Sequence, residues 1–156
     1  MSKRNISIRQ CSIADVNSIV KLRRIMFESM GYSDLELLNL ADEAANEYFQ
    51  QSIPTGEFIG WIAEDTQKKA IGSGGVVIDK HPPSPNNLSG KKGYIMSVVV
   101  VEEFRKQGIA QKIMEIIIQW LKKQNISIAN LHATEMGRKL YKKLGFTDGT
   151  EMSMKI

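Results

Sequence analysis

One cysteine, two histidines, four prolines and no apolar run of membrane-spanning length exclude several classes for this 156-residue chain. The lone Cys11 leaves no internal disulfide, and two histidines with one cysteine make no ordinary zinc site, so a metal-free protein is expected. Met1-Ser2-Lys3-Arg4 leads into no apolar signal core, and no stretch could cross a bilayer as a helix. A cytoplasmic location without membrane association is the expectation. The chain carries no Gly-Lys-Ser/Thr phosphate loop, repeat, linker or low-complexity segment. Gly72-Ser73-Gly74-Gly75 lies inside a strand-like run rather than opening a helix, so it is no dinucleotide fingerprint. A pI near 9.2 invites a nucleic-acid reading. No aromatic-interleaved basic strand or recognition motif supports it, so no nucleic-acid partner is expected.

What is present fits one globular domain over residues 1–156, with 42% hydrophobic and 24% charged residues and enough length for one continuous core. The net charge of +4 is segregated. Residues 25–67 hold nine acidic side chains and no lysine or arginine, whereas residues 68–143 hold fourteen basic and five acidic ones. The basic half suits an anionic ligand and the acidic stretch a cationic one, although charge runs commonly form solvated faces.

Periodicity gives the elements. Asn5 to Gln10 alternates as a strand. Ser12 with Asp15 and Ser33 with Glu36 read as capping boxes for two helices, the first stopping at Gly31 and the second before Pro54. Glu57 to Glu64 and Ala70 to Asp79 form an antiparallel hairpin, with Gly72, Gly74 and Gly75 suggesting a bulge or a close approach. His81 to Asn87 is an exposed loop, Gly93 to Val101 a buried strand, and Gln107 to about Lys123 a helix with Ile113, Met114, Ile117 and Leu121 inward. Ile128 to Ala133 reads as a strand, Thr134 to Leu144 as a helix closed by Gly145, and Phe146 to Ile156 as one or two strands. The resulting order, β-α-α-β-β-β-α-β-α-β, implies an α/β (α+β mixed) fold with a mixed, mostly antiparallel sheet flanked by helices.

One junction stands out. The β-branched run Val98 to Val101 passes through Glu102-Glu103-Phe104-Arg105-Lys106 into a helix opened by Gln107-Gly108-Ile109-Ala110. Unpaired amides at such a helix start, backed by the helix dipole, make a seat for an anion, usually a phosphate. The pattern equally fits an ordinary strand-to-helix turn whose glycine serves packing.

These residues resemble the GCN5-related N-acetyltransferase (GNAT) superfamily. Arg105-Lys106-Gln107-Gly108-Ile109-Ala110 fits its R/Q-x-x-G-x-G/A acyl-CoA signature, and Ala133 followed by Leu140-Tyr141-Lys142-Lys143-Leu144-Gly145-Phe146 fits its second, L-Y-x-x-L-G-F. Both occur in order, separated by a helix and a strand, and the likeness runs from Ile6 to the C-terminus. It implies acetyl-CoA as co-substrate, no metal, and transfer of the acetyl group to an amine acceptor. Amides of Gln107, Gly108, Ile109 and Ala110 would hold the pyrophosphate, with Arg105 and Lys106 adding charge or shaping the turn. Main-chain groups of Val98 and Val100 would face the thioester carbonyl and pair with the pantetheine arm. Tyr141 would be the general acid that protonates the leaving thiolate. Homodimers are common among similar proteins, so the resemblance admits one here.

The chain also departs from the pattern. Thr134 stands where many members carry asparagine, and its hydroxyl could both cap a helix and reach the coenzyme. Tyr94 occupies the position of a glutamate base, so no base transfers by motif. Glu28 and then Ser97 are the remaining candidates for handling the amine, while His132 reads as structural. The acidic stretch, if it lines the acceptor side, implies a cationic amine such as a polyamine, an aminoglycoside-like compound or a lysine side chain. A non-catalytic acyl-CoA-binding module is the alternative, and it has no use for Tyr141.

Overall fold

The computed structural model describes residues 5–156, so Met1 to Arg4 lie outside the described residues. Among the described residues, apart from short 3₁₀ turns at Ile13–Asp15 and Glu102–Phe104, the elements are β1 (Ser7–Gln10), α1 (Val16–Ser29), α2 (Leu35–Thr55), β2 (Phe58–Glu64), β3 (Ala70–Lys80), β4 (Lys91–Val100), α3 (Ile109–Lys123), β5 (Ala129–Leu131) and α4 (Glu135–Lys143). The strands form one sheet in the order β1-β2-β3-β4-β5, antiparallel throughout except for the parallel β4–β5 pair.

Helices cover both faces of the sheet. On one face α3 inserts Ile109, Ile113, Met114, Ile117 and Leu121 among Trp61, Ile71, Val76 and Ile95. Burying each such side chain contributes about 1.5–3 kcal/mol, which is why the apolar stripe of α3 dominates this layer. On the other face Val16 and Ile19 of α1 and Phe49 of α2 pack on Phe58 and Ile62. The glycines of β3 serve both layers. A Cβ on Gly74 would lie 2.5 Å from the Ile113 side chain, and one on Gly75 would collide with the Phe58 ring. The expected bulge is there too, between Ser73 and Gly75. The close approach is therefore made by core side chains.

Four expectations are corrected. Helix α2 runs through Pro54 to Thr55 and ends at left-handed Gly56. In the last turn the missing N–H leaves only an exposed carbonyl unpaired, and solvent can satisfy it. The cap of α2 is Asp34, whose side chain accepts from the Leu37 amide at 3.1 Å, and not Ser33. Helix α3 starts at Ile109 rather than Gln107, because left-handed Gly108 occupies the cap. No strand forms between Phe146 and Ile156. Asp148 is drawn back onto α4 by Arg138 at 2.6 Å and Lys142 at 3.4 Å, and Met152, Met154 and Ile156 find no surface to cover.

Candidate active site

Strand β4 is paired on its β5 side only at Gly93, Tyr94 and Ile95, where it meets Ala129 to Leu131. Beyond Ile95 the two strands part and leave β4 with an unpaired edge. The amide of Gly93 points to β5, donating to the Ile128 carbonyl, whereas the amide of Val101 points to β3, donating to Ile71. Regular alternation from Gly93 would turn Val101 the other way. The irregularity opposite Ser73 and Gly75 absorbs the extra residue, with Ser97 in a left-handed conformation at φ 59°. Counting back from Val101, the amides of Val98 and Val100 then face the gap.

The gap leads to the start of α3. Lys106 and Gly108 both have positive φ, 62° and 80°. The first helical hydrogen bond is that of Lys112 to the Gly108 carbonyl, so the amides from Gly108 to Gln111 have no partner within the helix. Nothing lies within 4 Å of a Cβ built on Gly108. Packing therefore does not require glycine here; the left-handed backbone does, and the space above it is open. Arg105 is largely a turn-shaping residue, its Nε donating to the Val100 carbonyl at 2.9 Å. Lys106 is exposed beside the turn, while Ile109 is buried and Ala110 half-buried, so these last two offer only main-chain groups.

Helix α4 brings the second motif to the same place. Lys143 Nζ donates to Gln111 Oε1 at 3.2 Å, joining the end of α4 to the first turn of α3. Tyr141 is half-buried against the α3 layer, with its ring edge-on to Phe146 at 6.0 Å. Burial raises its phenol above its ordinary pKa, which keeps the hydroxyl protonated at neutral pH. Gly137 was missed by motif reading. A Cβ there would sit 2.6 Å from the Tyr141 ring, so the glycine provides the ring's seat one turn earlier on the helix. Thr134 occupies the N-cap of α4 but makes no side-chain capping bond.

An open strand edge and a helix start with free amides lie at the end of β4, with the half-buried Tyr141 on the helix tied to α3 through Lys143, and the comparisons with known proteins agree with that fold. The model of the acetyltransferase (GNAT) family matches residues 20–146. The chain belongs to the GNAT acetyltransferase family. A GCN5-related N-acetyltransferase from Ralstonia eutropha JMP134 is similar at 29% identity and TM-score 0.90, over 97% of this chain and 99% of that one. A predicted acetyltransferase from Clostridium acetobutylicum, solved with acetyl-CoA, is similar at 25% identity and TM-score 0.88, over 97% and 96%. An aminoglycoside N-acetyltransferase in complex with CoA shares the fold at 18% identity and TM-score 0.72, over 98% and 95%. No functionally curated protein matches the chain in sequence.

The other side of this GNAT sheet, under α1 and α2, differs from expectation. Glu28 is half-exposed and held by Arg24 at 2.8 Å, so its carboxylate is already engaged. Arg24 also holds Asp42 at 2.8 Å, and Arg9 holds Glu64 at 2.6 Å. Three of the nine acidic residues in 25–67 are thus paired with two arginines from outside that stretch, Arg24 and Arg9. Ser97 is buried, and its Oγ accepts a short hydrogen bond from Arg23 Nη1. Tyr94 lies where β4 is paired on both sides, away from the gap, and His132 is exposed after β5. Among the described residues no cluster of side chains could hold a metal ion, and no helix is long and apolar enough to cross a membrane.

Proposed function

We propose that this chain transfers the acetyl group of acetyl-CoA directly to a primary amine, with Tyr141 as general acid. The observation that carries the reading is the early end of β4–β5 pairing in a GNAT chain, beyond which counting back from Val101 turns the Val98 and Val100 amides to the unpaired edge of β4. The pantetheine arm would add to the Val100 edge as a strand does, and the Val98 amide would donate to the thioester carbonyl as negative charge develops on its oxygen. The amides at the start of α3 would take the pyrophosphate, with Lys106 nearby and the Thr134 hydroxyl free to reach the coenzyme. The amine nitrogen attacks the carbonyl carbon, the C–S bond breaks, and the departing thiolate takes the Tyr141 proton while the amine gives one up to solvent. A protonated, half-buried phenol suits that step.

The reading is tested by free-thiol release from acetyl-CoA across an amine panel. Tyr141→Phe should lower turnover by roughly 10²–10⁴-fold, the usual yield of general acid catalysis, and leave acetyl-CoA affinity within about twofold. Unchanged turnover would remove the acid role. A cationic acceptor draws less support from the acidic stretch than its composition suggests, because Glu28, Asp42 and Glu64 are paired within the protein.

A further inference from the structure

Arg23 is a largely buried charged side chain with no part in the transfer reaction. It projects from α1 to the β4 irregularity, where Nη1 donates to Ser97 Oγ, one residue before the Val98 amide. Its guanidinium carbon lies 5.2 Å from the centre of the Phe27 ring and 5.5 Å from that of Phe49. Aromatic rings stabilise the cation but offer no lone pairs to its in-plane donors. The Nε is fully buried with no hydrogen-bond partner. Arg9 and Arg24 each hold two carboxylates, yet no carboxylate among the described residues reaches Arg23 within 4.0 Å. Burial lowers its pKa, and of the groups that raise it Tyr48 comes before Asp42, which is itself bound to Arg24. A guanidinium taken from water without a counter-charge is costly, which makes it a candidate functional position.

We propose that a carboxylate on the acceptor supplies this missing counter-charge, so that the substrates are amines bearing a free carboxylate, such as amino acids or short peptides, and not polycations. The inference rests on the acetyltransferase reading above and deepens it. Arg23 reaches Ser97, the residue before the amide that would face the thioester, from the α1–α2 face, so a carboxylate held by it would place the acceptor's amine near the reacting carbon. Arginine's planar fork matches a carboxylate through two parallel hydrogen bonds. A second positive charge on the acceptor would be repelled at that depth.

Free-thiol release with acetyl-CoA decides the matter on matched amines: an amino acid, its carboxamide, its decarboxylated amine, spermidine and phosphoethanolamine. The carboxylate-bearing amine should exceed its carboxamide at least thirtyfold in kcat/KM, the usual cost of losing one partner of a desolvated ion pair. Arg23→Gln should erase that ratio through KM and leave acetyl-CoA affinity within twofold, while Arg23→Lys should retain part of it. Arg23→Met should keep or raise Tm, because it removes an unpaired buried charge. Preference for spermidine or for phosphoethanolamine would overturn the inference alone. So would a lowered Tm in Arg23→Met together with an intact ratio in Arg23→Gln, which would make Arg23 a structural clip. If Arg23→Gln does not fold, the wild-type ratio decides by itself. Thiol release with none of these amines, despite acetyl-CoA binding, would overturn the transferase reading and this inference with it.

Discussion

Tyr141 and Gly137 lie one turn apart on α4 and act as a pair, because the ring occupies the space a Cβ at 137 would fill. Gly137→Ala should raise the intrinsic stability of the helix by up to about 1 kcal/mol, since alanine is the better helix former. It should still lower turnover by displacing the phenol, with acetyl-CoA affinity retained. Unfolding curves and steady-state kinetics on the one variant separate the two effects. Gly108 is a glycine of another kind. Alanine there meets no neighbour, but it must adopt φ near 80° and places a methyl group over the free amides. Gly108→Ala should cost about 1 kcal/mol of stability. Calorimetry should show acetyl-CoA binding at least tenfold weaker, as expected for one lost charge-assisted hydrogen bond. Burial raises the Cys11 thiol to about 12, so it stays protonated at neutral pH and should react slowly with thiol reagents there.

Among the elements, the link between β1 and α1 depends on one carboxylate. Asp15 accepts from Arg9 Nη1 and Nη2 at 2.8 and 2.7 Å and from the Ser12 amide at 2.7 Å. The capping box expected at this position is therefore real, although it closes a short turn of 3₁₀ helix (Ile13–Asp15) ahead of α1. Hydrogen bonds from Arg9 hold the folded Asp15 carboxyl below its ordinary value. As pH falls past about 4, the unfolded chain takes up this proton first, so the contribution is complete above that pH and drains away below it. Asp15→Asn should cost about 2 kcal/mol in urea unfolding at pH 7, allowing for the partial exposure of Arg9, and much less at pH 2. An equal loss at both pH values would show that the charge contributes nothing.

At the scale of the whole molecule, the open edge of β4 and the helix start of α3 are parts of the native sheet that a bound coenzyme would complete. Acetyl-CoA at one hundred times its Kd should add about 2.7 kcal/mol, which for a domain of this size raises Tm by roughly 5–10 °C. The shift should shrink with added salt, since phosphates bound beside Lys106 are screened. A thermal scan without acceptor suffices, and no shift would mean that the gap does not take the coenzyme. Charge is also read differently at this scale. The acidic stretch looks uniform in sequence, but Arg9 and Arg24 return to pair with part of it, while the buried Nε of Arg23 is left without a partner.

Sequence alone determined the strand run into Gly108, the stripe of α3, the hairpin and the two GNAT signatures, because each rests on local periodicity or on residues close in the chain. The place of Tyr141 within the second signature was legible for the same reason. Sequence could not tell whether Gly108 served packing or a left-handed turn, that Gly137 seats the Tyr141 ring, or that Asp148 turns back onto α4 and leaves the last residues unpaired as a strand. Only the tertiary structure brings Arg23 of α1 onto Ser97 of β4, and only it leaves that guanidinium without a carboxylate. Ion pairing and burial depend on distances between segments far apart in the chain, and those distances exist only once the helices have packed on the sheet.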